Sequence, residues 1–241
     1  MDTKVKGLVI KCKDFKEADK ILTILSAEEG KIYVRSKGVK KPTSKLKGFC
    51  QNFCFADFEL HESNTGIILT GAKSIDFFYE LTQNFDKYTY GCAILEILDK
   101  VCKENISYAT LLIDTLKCLK MLNYEDVNPT LLLCKFILSL LSNEGLNFNT
   151  EKCNQCLTPF LGEAYLDLAS GEMLCTICKP INNIMVEKSV LSTIKMLSLV
   201  PFDKLSTIKT AKNILMKTLN LLSTYLSEKY EISFNYTKMI F

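Results

Sequence analysis

The sequence predicts an α+β fold: a small five-stranded β-barrel, then a helical bundle carrying a four-cysteine insert. Three observations carry that prediction. The first 76 or so residues break into short β-branched and aromatic runs separated by turn-formers. From Phe77 onward apolar residues recur at three- and four-residue spacing, the period of helices. Two Cys-x-x-Cys pairs fall in one polar segment between the helical stretches.

The strands are expected at Val5 to Cys12, Lys20 to Leu25, Lys31 to Lys37, Phe53 to Leu60 and Gly66 to Thr70. Turns at Glu29-Gly30, Pro42-Thr43-Ser44 and Asn64-Thr65-Gly66 separate the later ones. In the fourth run the alternation of Phe53 and Phe55 slips at Ala56-Asp57 before Phe58 and Leu60 resume it, which reads as a bulge. Five such strands with no long helix among them suit a closed barrel of the OB type, with an open meander as the alternative. Helices are expected at Tyr88 to Lys103, Tyr108 to Leu122, Leu131 to Ser142, Val186 to Leu199 and about Ser206 to Tyr230. Asn128-Pro129 supplies an N-cap and a proline at the first helical position. The division is therefore 1–78 for the barrel and 79–241 for the helical part, interrupted by the insert at about 150–183.

Composition bounds the class. The chain has 241 residues, 48% hydrophobic and 24% charged, which excludes disorder and collagen-like repeats. Its longest apolar run, Leu131 to Leu141, is broken by Lys135 and falls short of the roughly 18 residues of a membrane span. Met1-Asp2-Thr3-Lys4 opens no signal peptide, so a cytoplasmic location is expected.

The insert reads Cys153-Asn154-Gln155-Cys156, eighteen residues, then Cys175-Thr176-Ile177-Cys178. Ala164 to Leu168 and Glu172 to Cys175, turned at Ala169-Ser170-Gly171, form a hairpin that carries the second pair back to the first. Four thiolates at the corners of one tetrahedron suit a single zinc ion, and a closed set of four sulfurs leaves no position for water, so the metal is structural. Eleven cysteines in all is an odd count without a secretion signal, which argues against a disulfide framework. Cys92, Cys102, Cys118 and Cys134 lie among Leu, Ile and Met as small core hydrophobes.

Charge is distributed unevenly. Between Gly30 and Ala56 stand Lys31, Arg35, Lys37, Lys40, Lys41, Lys45 and Lys47 with no acidic residue, so the chain's net +3 is +7 there and −4 elsewhere. Solvated faces normally mix both signs. A basic block beside aromatic strands on an OB barrel is the footprint of a groove that tracks a nucleic-acid backbone. Tyr33 and Phe49 are candidate stacking platforms, whereas Phe53, Phe55 and Phe58 are expected to fill the barrel. With Arg35 as the chain's single arginine, base reading by bidentate guanidinium forks is not expected.

Enzyme motifs are missing. Gly30-Lys31 has no glycine at the upstream distance a phosphate loop needs, and His61, the chain's one histidine, opens no HExxH. It reads as a surface residue at a strand end.

The order of parts resembles the RecO family of bacterial recombination mediators over nearly the whole chain. The residues that carry the resemblance are Glu17-Ala18-Asp19-Lys20-Ile21-Leu22-Thr23 leading to Glu29-Gly30-Lys31, then Ser36 to Leu46, Phe58-Glu59-Leu60 and Gly171-Glu172-Met173-Leu174-Cys175. The resemblance implies a protein without catalytic residues. It would bind single- and double-stranded DNA, anneal complementary strands, and with RecR help load RecA onto DNA coated by single-strand binding protein. Further implications are capture of that protein's C-terminal tail by the helical part, a nucleoid-associated cytoplasmic location, and a DNA surface at Arg35, Lys37, Lys40, Lys41, Lys45 and Lys47. The four insert cysteines match those of zinc-bearing members. The C-terminal Tyr230 to Asn235 is less basic than the family's tail, and Ser170-Gly171 replaces its Gly-Gly. A general RNA-binding OB and zinc-ribbon protein of translation or transcription is the alternative, and a purely structural scaffold subunit is a third.

Overall fold

The structure, a computed structural model, describes residues 2–241 and divides into two compact units between Asn123 and Tyr124. In the first unit β1 (Asp2–Phe15), β2 (Asp19–Ser26), β3 (Gly30–Ser36), β4 (Phe55–Ser63) and β5 (Gly66–Asp76) close into a barrel of order β1-β2-β3-β5-β4. The long first strand serves both neighbours. Its first half pairs with β4 (Asp2↔His61 to Leu8↔Phe55) and its second with β2 (Gly7↔Ser26 to Phe15↔Asp19). Ile10 is the extra residue of a bulge between the Val9 and Lys11 pairs, which gives the strand the curvature that closure requires. Inside lie Val9, Leu22, Ile24, Val34, Phe58 and Leu60, all 2% exposed or less. By area, each such side chain contributes about 1.5–3 kcal/mol relative to exposure.

The alternation of β4 differs from the expected one. Its inward residues are Ala56, Phe58 and Leu60 without a slip, and the irregularities sit across from it, where Thr70 and Ile75 of β5 are skipped in the pairing. The strand begins at Phe55, so Phe53 is not part of the pattern. Phe53 has φ +69, is buried, and meets Tyr88 edge-on with ring centroids 5.8 Å apart, outside the barrel. Phe55 is half-buried and of the three only Phe58 fills the interior. Small Ala56 at an inward position misleads a pattern based on large hydrophobes.

The helices α1 (Phe85–Val101) and α2 (Ala109–Tyr124) complete this unit. Asn84 caps α1 by accepting from the Lys87 N–H. Gly30 is required where it stands: φ is +69, and a Cβ would lie 2.5 Å from the Lys103 carbonyl and 2.6 Å from that of Ile106.

The second unit holds α3 (Pro129–Asn143), a three-stranded sheet of β6 (Ala164–Leu166), β7 (Met173–Leu174) and β8 (Ile184–Val186) in the order β7-β6-β8, then α4 (Lys188–Leu199), α5 (Lys212–Tyr230) and the short α6 (Thr237–Ile240). Asn128 caps α3 as its sequence predicts, its Oδ1 accepting from the Thr130 and Leu131 N–H groups. Leu131, Leu132, Leu133, Phe136 and Ile137 of α3 are all 1% exposed or less, so this helix is buried nearly all round and is the centre of the unit. Lys135, the residue that breaks the apolar run, is buried too. Its Nζ donates to the Leu197 carbonyl at 2.8 Å near the end of α4.

In the barrel β1 runs beyond the expected Val5 to Cys12 at both ends and β5 runs on to Asp76, past the expected Thr70, and in the second unit two boundaries fall differently from the expected ones. Val186 belongs to β8, paired with Ala164, and α4 begins only at Lys188. The last long helix starts at Lys212, because Phe202–Thr207 forms 3-10 turns and Ile208 is extended at φ −80, ψ 125. Ile208 is therefore off that helix. The β-branched residues Thr207, Ile208 and Thr210 disfavour continuing a helix there.

Candidate nucleic-acid interface and metal centre

The basic block is the connection between β3 and β4, pinned at both ends by the start of β2. Asp19 Oδ1 accepts the Gly38 N–H at 2.7 Å, and Asp19 Oδ2 takes Arg35 Nε at 2.8 Å and Nη2 at 2.6 Å. The Lys40 N–H donates to the Ala18 carbonyl at 2.9 Å, and Lys20 Nζ reaches the Cys50 carbonyl at 3.1 Å. Thus Ala18-Asp19-Lys20 and Ser36 to Leu46, distant in sequence, meet in space. Gly38, at φ +65, makes the turn that lets its N–H face the carboxylate.

The six predicted contact residues separate into two groups. Arg35 is engaged internally, bound to Asp19 with its guanidinium 5.1 Å from the centre of the Phe15 ring, and Lys40 is bound to Asp14 at 2.9 Å. Lys37, Lys41, Lys45 and Lys47 are exposed and make no ion pair with any described residue. The Asp14–Lys40 pair also brings the β1–β2 turn to the loop, and with it exposed Lys13 and Lys16, which sequence reading missed. Glu17 and Asp14 interrupt that run, so a search for an unbroken basic block passes over it. One end of the barrel therefore presents six lysines that make no ion pair with a described residue, Lys16 lying over the Phe15 ring at 5.6 Å.

Stacking platforms are fewer than expected. Phe49 is half-buried against the barrel core, its ring 5.7 Å from that of Phe77, because the 3-10 turn Lys47–Phe49 points it inward. Tyr33 is 46% exposed but faces a different cleft, described below.

Asp19 titrates accordingly. The Gly38 N–H first, and then the Arg35 guanidinium, hold its carboxyl below the usual carboxylate range. A depressed folded-state value means that the stabilisation is present above the unfolded-state value of about 3.9 and is lost as pH falls through the folded-state one. In an NMR titration the Gly38 amide resonance should hold steady from neutral pH to about pH 4 and move only below it. A transition centred at a higher pH would show that the carboxylate does not hold the loop.

In the insert the four predicted cysteines converge. The sulfurs of Cys153, Cys156, Cys175 and Cys178 all lie within 4.8 Å of one another, and Cys156 Sγ is 3.7 Å from Cys175 Sγ. Four sulfurs each about 2.3 Å from one tetrahedral ion would stand about 3.8 Å apart, so the cluster can hold a metal ion, and its donor set fits zinc. The two pairs are registered to each other by backbone. The Asn154 N–H donates to the Met173 carbonyl at 2.9 Å, and Asn154 Oδ1 accepts from the Met173 N–H at 3.1 Å. The Thr158 hydroxyl and then its N–H lower the Cys156 thiol to about 6, whereas desolvation and then hydrogen bonding to Cys156 push Cys178 up to about 12. The hairpin turn rests on α5. A Cβ at Gly171, φ +79, would lie 2.2 Å from the Tyr225 hydroxyl, and Lys229 Nζ donates to the Ala169 carbonyl at 3.1 Å.

The other seven thiols behave as core. Cys50, Cys54, Cys102, Cys118 and Cys134 are buried, and Cys12 and Cys92 are half-buried, Cys92 less enclosed than its helical spacing suggests. Burial pushes Cys54 up to about 12. His61 lies on the outside of β4 with Nδ1 2.6 Å from Asp2, the surface position expected for it.

The class the fold defines is a five-stranded OB-type barrel with a lysine-rich end, followed by helices that carry a four-thiol cluster able to hold a metal ion. Residues 1–78 match the family described as Recombination protein O N terminal, and residues 82–237 match Recombination protein O C terminal. The chain belongs to the RecO family. It is 30% identical over 207 residues to the DNA repair protein RecO of Syntrophomonas wolfei, covering 86% of this chain and 82% of that protein. To the DNA repair protein RecO of Acetivibrio thermocellus it is 28% identical over 241 residues, covering 99% and 95%. To that of Clostridium novyi it is 26% identical over 241 residues, covering 98% and 94%.

Proposed function

We propose that the chain is a non-catalytic DNA repair and recombination mediator. It binds single- and double-stranded DNA, anneals complementary strands, and with RecR helps load RecA on DNA coated by single-strand binding protein, in the cytoplasm at the nucleoid. The observation that carries this reading is the end of the barrel at which Lys13, Lys16, Lys37, Lys41, Lys45 and Lys47 make no ion pair with a described residue, around a loop anchored on Asp19. Ammonium groups act as point charges on phosphates, so they screen two strands from each other without choosing a sequence. Annealing needs no more than that screening while bases search for partners, and no step requires nucleotide hydrolysis.

In this reading residues 1–78 are the DNA-binding domain. Residues 79–241, with the insert at about 150–183 set around one zinc ion, are the partner-binding part. The ion would be held by Cys153, Cys156, Cys175 and Cys178 and would supply structural cross-linking only, because four thiolates complete its coordination. Capture of the single-strand binding protein tail by the helical part raises the local concentration of the basic barrel at coated DNA.

The test is a strand-annealing time course on coated oligonucleotides without ATP, using intact and tail-deleted single-strand binding protein. Acceleration on strands coated with the intact protein, and slower annealing when the tail is deleted, is the expected result. A strict ATP requirement, equal inhibition by both coatings, or preferential binding of a folded RNA competitor would overturn the mediator reading.

A further inference from the structure

The barrel carries a second surface of opposite charge. β3 and β5 pair, in parallel, only at Val34↔Ile67 and Arg35↔Ile68. Beyond Ile68 the edge of β5 away from β4 has no strand among the described residues beside it as far as Asp76, and on β3 the segment at Lys103 and Glu104 pairs at Gly30 and Lys31. The seam opens there into a cleft of about 1370 Å³, between Ile32 and Tyr33 of β3, Gly71 to Lys73 of β5 and the face of α2. Its apolar surface includes Tyr33, 46% exposed, and Ile113, 54% exposed. Its rim carries six carboxylates, Glu28, Glu29, Asp57, Glu59, Glu62 and Glu104, against four lysines. Two of those lysines are already matched, Lys4 to Glu59 at 2.9 Å and Lys6 to Asp57 at 3.8 Å. Both pairs are exposed and worth little, so an incoming cation can exchange with them.

A net negative rim repels a polyanion, so DNA is not the occupant. Unpaired strand edges accept an extended chain by main-chain hydrogen bonds, and alternate side chains of that chain would meet the apolar floor and the acidic rim. We propose that this cleft is a docking groove for an extended segment of a partner protein, alternating lysine or arginine with apolar residues, which adds as a strand at the β3–β5 seam. The groove is independent of the DNA reading. The lysines of the loop and the carboxylates of the cleft belong to different parts of the barrel, so DNA and the partner segment can be held together.

Three short fluorescein-labelled peptides test it by anisotropy on the full chain: alternating lysine and valine, alternating glutamate and valine, and the lysine peptide with prolines at alternate valines. The first should bind and the other two should not, because the second carries the wrong charge and the third cannot complete a strand ladder. Glu28→Lys with Glu29→Lys, two exposed residues at a turn, should weaken the lysine peptide about tenfold or more. Lys41→Glu with Lys45→Glu should leave it unchanged. Binding that is insensitive to the Glu28 and Glu29 changes, equal for the proline peptide, or lost in the Lys41 and Lys45 variant would overturn the proposal.

Discussion

Cys175→Ser is expected to empty the metal centre and unfold the insert around it. The wild-type chain should carry about one zinc and the variant none. The strands involved are three, two and three residues long, far too little sheet to stand on its own. On the proposed zinc assignment the closed thiolate set fixes them, and in small zinc domains metal binding supplies the folding free energy, about 10–16 kcal/mol apparent at neutral pH. Loss should therefore be local and complete. Amide protection should vanish at Tyr165, Leu166, Met173 and Leu174, and the disturbance should reach Tyr225, against whose hydroxyl Gly171 sits. The barrel should remain folded, because its core contains none of these residues. A variant that retains a full equivalent of zinc would refute the assignment of ligands.

Reversing Lys37, Lys41, Lys45 and Lys47 together to glutamate should remove single-strand binding from a protein that still folds. None of the four makes an ion pair with a described residue, and the loop's anchors, Asp19, Lys20 and Arg35, are left in place. These four lysines, neutralising about four phosphates, account for roughly −3 of the log–log salt slope, which is about fiftyfold between 50 and 200 mM salt. The variant should lose that part of the slope and, with four negative charges beside Lys13 and Lys16, its measurable single-strand affinity. A folded variant with both unchanged would place the DNA surface elsewhere.

Much of this was legible in the sequence for physical reasons. Metal ligation needs sulfurs at fixed short spacing, so Cys153, Cys156, Cys175 and Cys178 announce themselves. Strand and helix periods come from backbone geometry, and the five barrel strands and the Asn128 cap follow. What was not legible depends on tertiary pairing. Nothing local distinguishes Arg35, braced on Asp19, from Lys37, which is free, because the partner lies sixteen residues away on another strand. The basic turn residues Lys13 and Lys16 join the loop only through the Asp14–Lys40 contact. Phe49 looks like an exposed ring until the 3-10 turn Lys47–Phe49 directs it onto Phe77. Apolar spacing alone carries the helical period of α4 back to Val186, whose place in a strand is set by its pairing with Ala164 of β6.

The central claim is that DNA lies on the lysine-bearing end of the barrel and not in its acidic cleft. Lysine acetylation footprinting of the intact protein, with and without a saturating single strand, tests it most directly. Lys13, Lys16, Lys37, Lys41, Lys45 and Lys47 should become protected while Lys4, Lys6 and Lys73 react as before. Protection of the cleft lysines, with the loop still fully reactive, would contradict it.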